Sequence, residues 1–262
     1  MLPACRIVVR GEWSATVAPI NSLEARKRVR TSPKGASVLA RSCTMPDNIL
    51  GKATTEHVTL HLRQLSLDKR VAFSLSCAER LFPIYEAYAL QRDSNGVSTL
   101  RIALDNLWAK AEADAVSEMV SDSVISDLLT MGPQGERYSA RFSIGAQHVV
   151  SAVIHAYQLC GRDNLDEAIW CSVIARRCVE DYLQSTGHPY YNVSSPASED
   201  CQESHTLQLT DWSKHPLYQH EVMKQFADLQ ILSYDALTAT IVDRLRNEGA
   251  LGIQPMLRGL IG

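Results

Sequence analysis

The segment Phe73–Tyr88, FSLSCAERLFPIYEAY, constrains the fold of this chain more than any other feature. Its apolar residues recur every three or four positions, which is the spacing of one buried face of an α-helix. Glu79 and Arg80 interrupt this apolar run, and Pro83 follows four residues after the glutamate. Because proline cannot donate a backbone hydrogen bond and crowds the carbonyl of Glu79, we predict that the helix kinks or restarts there.

The chain after this segment keeps the same helical periodicity, and no segment shows the strict alternation of a half-buried strand. Gly161 is a helix stop signal, and the stretch 216–247 is long enough for one long helix or two stacked ones. We therefore predict an all-α fold, a compact bundle of about seven or eight helices around one core. It would occupy residues 51–262 as a single domain, with a long irregular loop at 188–214.

Side chains that cap helices indicate two of the helix starts. Thr54 or Thr55 is placed to cap a short first helix. Asn164, followed three residues later by Glu167, has the spacing of a capping box. These positions predict helices that begin near residues 55 and 165.

The N-terminal segment, residues 1–50, differs from the rest of the chain. Its first 44 residues carry eight arginines and lysines against two glutamates, and they show no sustained periodicity. A transit-type peptide, a basic arm for an acidic partner and a disordered leader would all have this composition. We favour the disordered leader, because such a segment has little apolar surface to bury.

Charge and cysteine content exclude several classes of protein. Residues 45–262 carry 18 basic and 27 acidic residues, which disfavours nonspecific nucleic-acid binding. No apolar run approaches the 18 residues that a membrane span requires. Seven cysteines without a CxxC motif indicate a reducing compartment, so we expect a cytoplasmic protein without disulfides.

The histidines suggest two kinds of site, each with a simpler alternative. His57 and His61 are one helical turn apart, which suits a metal, but no acidic residue accompanies them at ligand spacing. His148, Ser151 and His155 form a stripe in which the serine would be a nucleophile, with Asp163 or Asp166 to orient the base. We favour polar helix faces for both, and predict no bound metal and no cofactor.

Cys171 and Cys178 are two turns apart on a predicted helix, and Arg176 and Arg177 flank the second. Nearby cations lower the pKa of a thiol, so an exposed pair would form a thiolate site. Packing in the core is the interpretation that we favour, because free cysteine behaves as a small hydrophobe.

Glu79 and Arg80 are the strongest candidates for an unusual role. Neighbours on a helix do not face each other, so each requires its own partner, such as Arg101 or Asp105 on a later helix. Their setting predicts a buried ion network, which is either structural or lines a pocket. As candidate binding residues we name Glu79, Arg80, Tyr85 and Asp105, and we assign no catalytic residue.

Short sequence blocks distributed along the chain carry a family resemblance. These blocks are Leu62–Ser66, Val71–Phe73, Cys77–Tyr85, Leu100–Trp108, His215–Leu217 with Glu221 and Gln225, and Gly249–Ile253. The chain resembles the YjaG-like family of small bacterial proteins, a domain of unknown function, over about residues 58–253. The resemblance implies an all-helical, soluble cytoplasmic protein and supplies no activity.

Two functions from different classes follow from these observations. The first is a non-enzymatic protein that binds another macromolecule, for example a basic protein, in the way that an immunity protein neutralises a toxin. The second is a small-molecule or metal-dependent enzyme with a pocket beside Pro83. The sequence leaves the oligomeric state open, and it favours the first function without identifying a partner.

The composition of residues 1–44 generates a first prediction. A chain that begins at Met45 should unfold at the same temperature as the full chain, because the removed residues have too little apolar surface to offset the entropy of ordering. Circular dichroism melts of the two chains check this. A clearly lower melting temperature for the shorter chain would show that the leader packs on the domain.

Overall fold

The computed structural model describes residues 49–92, 96–113, 115–116, 122–133, 142–185 and 212–252. Within these ranges the chain forms eight α-helices and no strand, so the predicted all-α class and helix number are confirmed. All eight helices belong to one compact unit. They are α1 (Ile49–Leu62), α2 (Leu67–Arg92), α3 (Gly96–Glu112), α4 (Asp122–Met131), α5 (Ser143–Arg162), α6 (Leu165–Ser185), α7 (Pro216–Tyr234) and α8 (Ala239–Gly252).

Helix α2 lies at the centre of the unit. It packs against α3, α5, α6, α7 and α8, and every residue from 71 to 82 is buried. The helix runs without interruption through Pro83, so the alternative of a restart there was wrong. Neighbours on all sides supply the packing that compensates for the hydrogen bond that proline removes.

The termini of two helices differ from the predicted ones. Helix α1 begins at Ile49, and Thr55 lies inside it with Oγ1 donating to the carbonyl of Gly51 at 2.8 Å. A threonine can bond either to a helix end or to the preceding turn, and here it makes the second bond. Helix α5 passes Gly161 and ends at Arg162, and the next residue, Asp163, adopts the left-handed conformation with φ of 43°.

The predicted cap of α6 is present. The side-chain oxygen of Asn164 accepts from the backbone N–H of Asp166 at 3.2 Å, and its amide nitrogen lies 3.4 Å from a carboxylate oxygen of Glu167. The stretch that begins at residue 216 forms two helices, α7 and α8, separated by residues 235–238.

Two predicted segments fall largely outside the described residues. The N-terminal leader, residues 1–50, is described only where Ile49 and the next residue open α1. The loop predicted at 188–214 is described only over Trp212–Lys214, a single 3₁₀ turn before α7. Both assignments stay predictions. No helix in the described ranges has the length and apolar character to cross a bilayer.

Apolar side chains from all eight helices form one continuous core. Helix α5 contributes eleven buried residues of its twenty, and α3 contributes six, among them Trp108. Trp108 is 1% exposed, and its indole N–H donates to Glu79 at 2.9 Å. A buried tryptophan whose N–H has a partner combines a large apolar contact with a satisfied polar group.

The position of Trp108 generates a prediction about stability. Trp108→Ala should lower the free energy of unfolding by about 3–5 kcal/mol, since it leaves a large cavity in the core. Urea titration followed by circular dichroism measures the loss. Trp170→Ala is the matched control, because Trp170 is 37% exposed, and it should lose much less. Equal losses in the two variants would contradict the core assignment.

Candidate functional site: two buried ion networks

The side chain of Glu79 points from α2 toward α3, and its carboxylate accepts three strong hydrogen bonds. The guanidinium of Arg101 binds both carboxylate oxygens, at 2.7 and 2.5 Å, in the bidentate geometry that favours arginine. The indole of Trp108 donates to the same carboxylate at 2.9 Å. These contacts confirm Arg101 as the predicted partner of Glu79. Together with Trp108, Arg101 fixes the orientation of Glu79, which is only 7% exposed.

Asp105 and Arg246 complete the first network at its outer edge. Asp105 accepts from Arg101 Nε at 3.0 Å and from Arg246 of α8 at 2.5 Å, while Arg246 Nε lies 3.6 Å from Glu79. Burial acts to lower the pKa of Arg101, but its bonds to Glu79 and Asp105 raise the pKa above its ordinary value. Two carboxylates and two guanidiniums therefore alternate, and their formal charges cancel.

The side chain of Arg80 points from α2 in a different direction and contacts α7. It is 1% exposed, and its guanidinium binds both oxygens of Glu221 at 2.9 Å and one oxygen of Asp228 at 2.6 Å. Ser76 also accepts from Arg80 at 2.9 Å and donates to Asp228 at 2.7 Å. Burial opposes the charge of Arg80 most strongly, but Glu221, Cys77 and Asp228 together outweigh burial and raise the pKa of the guanidinium.

A second branch of this network joins α7 to α6 and α1. Gln225 donates to Glu221 at 2.8 Å and accepts from Ser172 at 2.7 Å and from Arg176 at 3.0 Å. Arg176 also donates to Thr55 of α1 at 2.7 Å. One chain of hydrogen bonds thus links four helices through the interior.

These networks are chemically closed in the described part of the chain. No buried side-chain nitrogen or oxygen there lacks a hydrogen-bond partner. A pocket that recognises a substrate needs donors or acceptors that its own protein leaves free, because those groups exchange water for ligand. The geometry of both networks therefore suits holding helices together.

The four predicted binding residues lie in three places. Glu79 and Asp105 share the first network through Arg101, whereas Arg80 belongs to the second. Tyr85 is apart from both: its hydroxyl donates to the carbonyl of Met131 at 3.2 Å, and burial raises its pKa to about 12. Their assignment to a common binding site stays a prediction, and these contacts do not gather them in one pocket.

Sequence reasoning missed the acidic partners of Arg80. Glu221 and Asp228 lie 141 and 148 positions from it, so no local pattern pairs them. One signal was present: Glu221, Gln225 and Asp228 recur at intervals of four and three on the buried face of α7. Polar residues on an otherwise apolar helix face indicate partners inside the core.

A surface cleft of about 340 Å³ lies at the turn between α1 and α2, beside the end of α7. Its lining residues include none of the four candidates and lie away from Pro83. These residues are Gln64, Leu65, Ser66, Lys69 and Ser233.

The His57 and His61 pair occupies the surface of α1. Their rings are 4.3 Å apart between centroids, and His61 Nδ1 lies 3.0 Å from the carbonyl of His57. The ring of His57 also meets Phe226 edge-on at 4.5 Å. Among the described residues no group of three or more histidine, cysteine, aspartate or glutamate side chains is placed to hold a metal.

The other two candidate histidines pair with carboxylates across the α5–α6 interface. His148 Nε2 is 2.6 Å from Asp181, and His155 Nδ1 is 2.6 Å from Glu167. The predicted orienting residues were therefore wrong: Asp163 instead pairs with Arg70 at 2.7 Å. A turn of α6 brings Glu167 to His155, a contact that spacing along the sequence does not reveal.

Cys171 and Cys178 both lie in the core. Burial raises the pKa of each thiol well above its ordinary value, which disfavours the reactive thiolate. Cys171 donates weakly to the carbonyl of Ala152 at 3.4 Å. Burial of both thiols thus supports the interpretation that they pack in the core. The guanidinium of Arg176, which flanks Cys178 in the sequence, donates hydrogen bonds to Gln225 and Thr55 instead.

Fold and site together define an all-helical bundle around a central helix with closed ion networks. The chain belongs to the family described as "Protein of unknown function (DUF416)", which matches residues 57–251. The resemblance drawn from the sequence is confirmed at the level of this family. No curated protein matches the chain.

A solved structure shares this fold. The crystal structure of a DUF416 family protein from Shewanella baltica aligns with a TM-score of 0.58 at 17% identity, covering 73% of this chain and 92% of that one. At this identity the likeness concerns the helical architecture alone.

The Arg80 cluster generates a prediction that separates structural from exposed ion pairs. Arg80→Met should lower the free energy of unfolding by about 3–5 kcal/mol, because Glu221 and Asp228 stay buried without their cation. Arg244→Met is the matched control, since Arg244 pairs with Glu248 on the surface and should contribute at most about 1 kcal/mol. Urea unfolding of both variants gives the comparison, and an Arg80 loss as small as that of the control would rule out a structural role.

Proposed function

We propose that this protein works without catalysis, by binding another macromolecule through its surface. The observation that carries the proposal is the closure of both ion networks. Glu79 and Arg80, the polar residues that the sequence analysis singled out, form their hydrogen bonds with side chains of neighbouring helices. That leaves the exposed helix faces as the part of the molecule with groups free to meet a partner.

The charge of the exposed surface favours a basic partner. Among the described side chains nine carboxylates are exposed, against five lysines and arginines. Complementary charge increases the rate of association and suppresses wrong partners more than it adds affinity. The exposed carboxylates are Glu56, Glu86, Glu112, Asp127, Asp163, Asp166, Asp235, Asp243 and Glu248.

Large apolar side chains on the same surface would supply contact area. Several are more than half exposed, and isolated ones are normal on a monomer, so we use them only as candidate anchors. They are Leu60, Leu90, Ile102, Ile144, Met223 and Tyr234.

Within the DUF416 family we place the chain with the YjaG-like proteins of the bacterial cytoplasm. An immunity-like role, in which the acidic surface neutralises a basic protein, is the most specific form of the proposal. The support for it is the acidic surplus together with the closed interior. Nucleic acid is a poor candidate ligand for the same reason, since it requires a basic surface.

The experiment is capture of partners from the native host by tagged protein, followed by reconstitution of each candidate complex from purified components. Binding by isothermal titration calorimetry should weaken with salt, because exposed charges are screened. A variant with Glu56→Lys, Glu112→Lys and Asp127→Lys should lose affinity. The control, Lys52→Glu with Arg63→Glu, should keep or increase it.

Two results would count against this proposal. Equal affinity in the acidic and charge-reversed variants would remove the role of the surface charge. Stabilisation of the chain by a small metabolite or metal, with no reconstituted complex, would favour the enzyme with a pocket beside Pro83.

A further inference from the structure

The cleft at the turn between α1 and α2 differs from the buried networks, because it has polar groups without partners. Its volume of about 340 Å³ is near the lower end of the range for small-molecule sites. Four of its five lining side chains are polar, and only Leu65 is apolar. A cleft of this size and polarity suits a small hydrophilic molecule.

Lys69 supplies the positive charge of the cleft. Its side chain is half-buried, and its ammonium makes no ion pair or hydrogen bond with the described part of the chain. The other half-buried lysines and arginines in that part all interact with another group: Arg70 pairs with Asp163, for example, and Lys224 pairs with Asp228. A partly desolvated cation without a counterion attracts an anion more strongly than a fully exposed one does.

Neutral hydrogen-bonding groups surround this charge. The amide of Gln64 and the hydroxyl of Ser66 make no side-chain hydrogen bond within the described ranges. The hydroxyl of Ser233 donates to the carbonyl of Leu229 at 2.7 Å, which leaves the lone pairs of its oxygen as acceptors. The cleft can therefore donate to and accept from the hydroxyls of a ligand while the ammonium binds its negative charge.

The turn that carries Gln64 and Ser66 is held in place by the helices beneath it. Leu65 is 5% exposed, and its carbonyl accepts from Arg70 Nε at 3.0 Å. The same guanidinium binds Asp163, which follows the end of α5, at 2.7 Å. A site on a turn that is already fixed loses little conformational freedom when a ligand binds, and this favours affinity.

We propose that this cleft is a binding site for a small carboxylate that carries hydroxyl groups, a hydroxy acid or a sugar acid. Lys69 binds the carboxylate, and Gln64, Ser66 and Ser233 bind the hydroxyls. One ammonium balances one carboxylate, whereas a phosphate dianion would keep an unbalanced negative charge on a protein whose surface is already acidic. The site does not depend on the macromolecular partner proposed above.

Ligand-observed NMR titration with gluconate and lactate tests the site. Gluconate should bind the native chain with a dissociation constant on the order of 1 mM, the affinity of a few polar contacts in an open cleft. Lys69→Gln should weaken this binding by about tenfold or more, because hydrogen bonds between charged groups are the strong ones. Lys52→Gln is the matched control: Lys52 is an exposed lysine of α1 outside the cleft, and this variant should bind as the native chain does. Circular dichroism checks that both variants are folded.

The role of the hydroxyl groups has its own test. Hexanoate, which has the carbon chain of gluconate without its hydroxyls, should bind the native chain at least threefold more weakly, by about the contribution of one neutral hydrogen bond. Ser233→Ala should weaken gluconate binding about threefold for the same reason and leave hexanoate binding unchanged. This difference separates recognition of the hydroxyls from simple attraction of an anion to a lysine.

Three results would overturn the proposal. Absence of saturable binding of both gluconate and lactate would show that the cleft is not a carboxylate site. Equal gluconate affinity in the native chain and in Lys69→Gln would place the bound ligand elsewhere, for example beside Pro83. Tighter binding of inorganic phosphate than of gluconate would assign the site to phosphate. The charge-reversal test of the proposed function changes no residue of the cleft, so the two proposals succeed or fail separately.

Discussion

The pairing of Arg80 with Glu221 and Asp228 is the interaction on which this arrangement of helices depends. An arginine in the buried stretch of a helix is tolerated only if nearby carboxylates and hydroxyls satisfy it. Both carboxylates come from α7, so α7 must lie against α2 with its polar stripe facing inward. The second branch, through Gln225, then fixes α6 and α1 relative to α7.

Glu79 applies the same logic on another side of α2. Consecutive residues on a helix point about 100° apart, as 3.6 residues per turn requires. The acid therefore binds α3 while the adjacent base binds α7. These two neighbouring charges thus determine how α2 is rotated about its axis. If the helix and its neighbours were purely apolar, several rotations would bury nearly the same surface, and the orientation would be only weakly determined. Breaking either pair leaves a buried charge, and that penalty disfavours other packings.

Local physical chemistry explains which parts of this structure the sequence predicts. The existence of the helices, their approximate limits and the Asn164 cap follow from periodicity and from short-range hydrogen bonds. Arg101 was found as the partner of Glu79 because α2 and α3 are consecutive, so they pack together. The partners of Arg80 and the pairing of His155 with Glu167 depend on how distant helices or helix turns are placed, and no spacing encodes that. Of the two outcomes predicted at Pro83, a kink or a restart, the restart does not occur, because tertiary packing outweighs one lost hydrogen bond.

Comparing the predicted binding residues with their observed contacts indicates where function can reside in a bundle of this kind. A polar residue in a helical core attracts attention as a candidate site, yet here Glu79 and Arg80 are occupied on every side by their own protein. The half-buried pair of Arg246 with Asp105 lies at the outer edge of the first network, where solvent weakens an ion pair more than it does around Arg80. The buried ion pairs in this fold therefore stabilise the arrangement of helices, and their polar groups are already occupied.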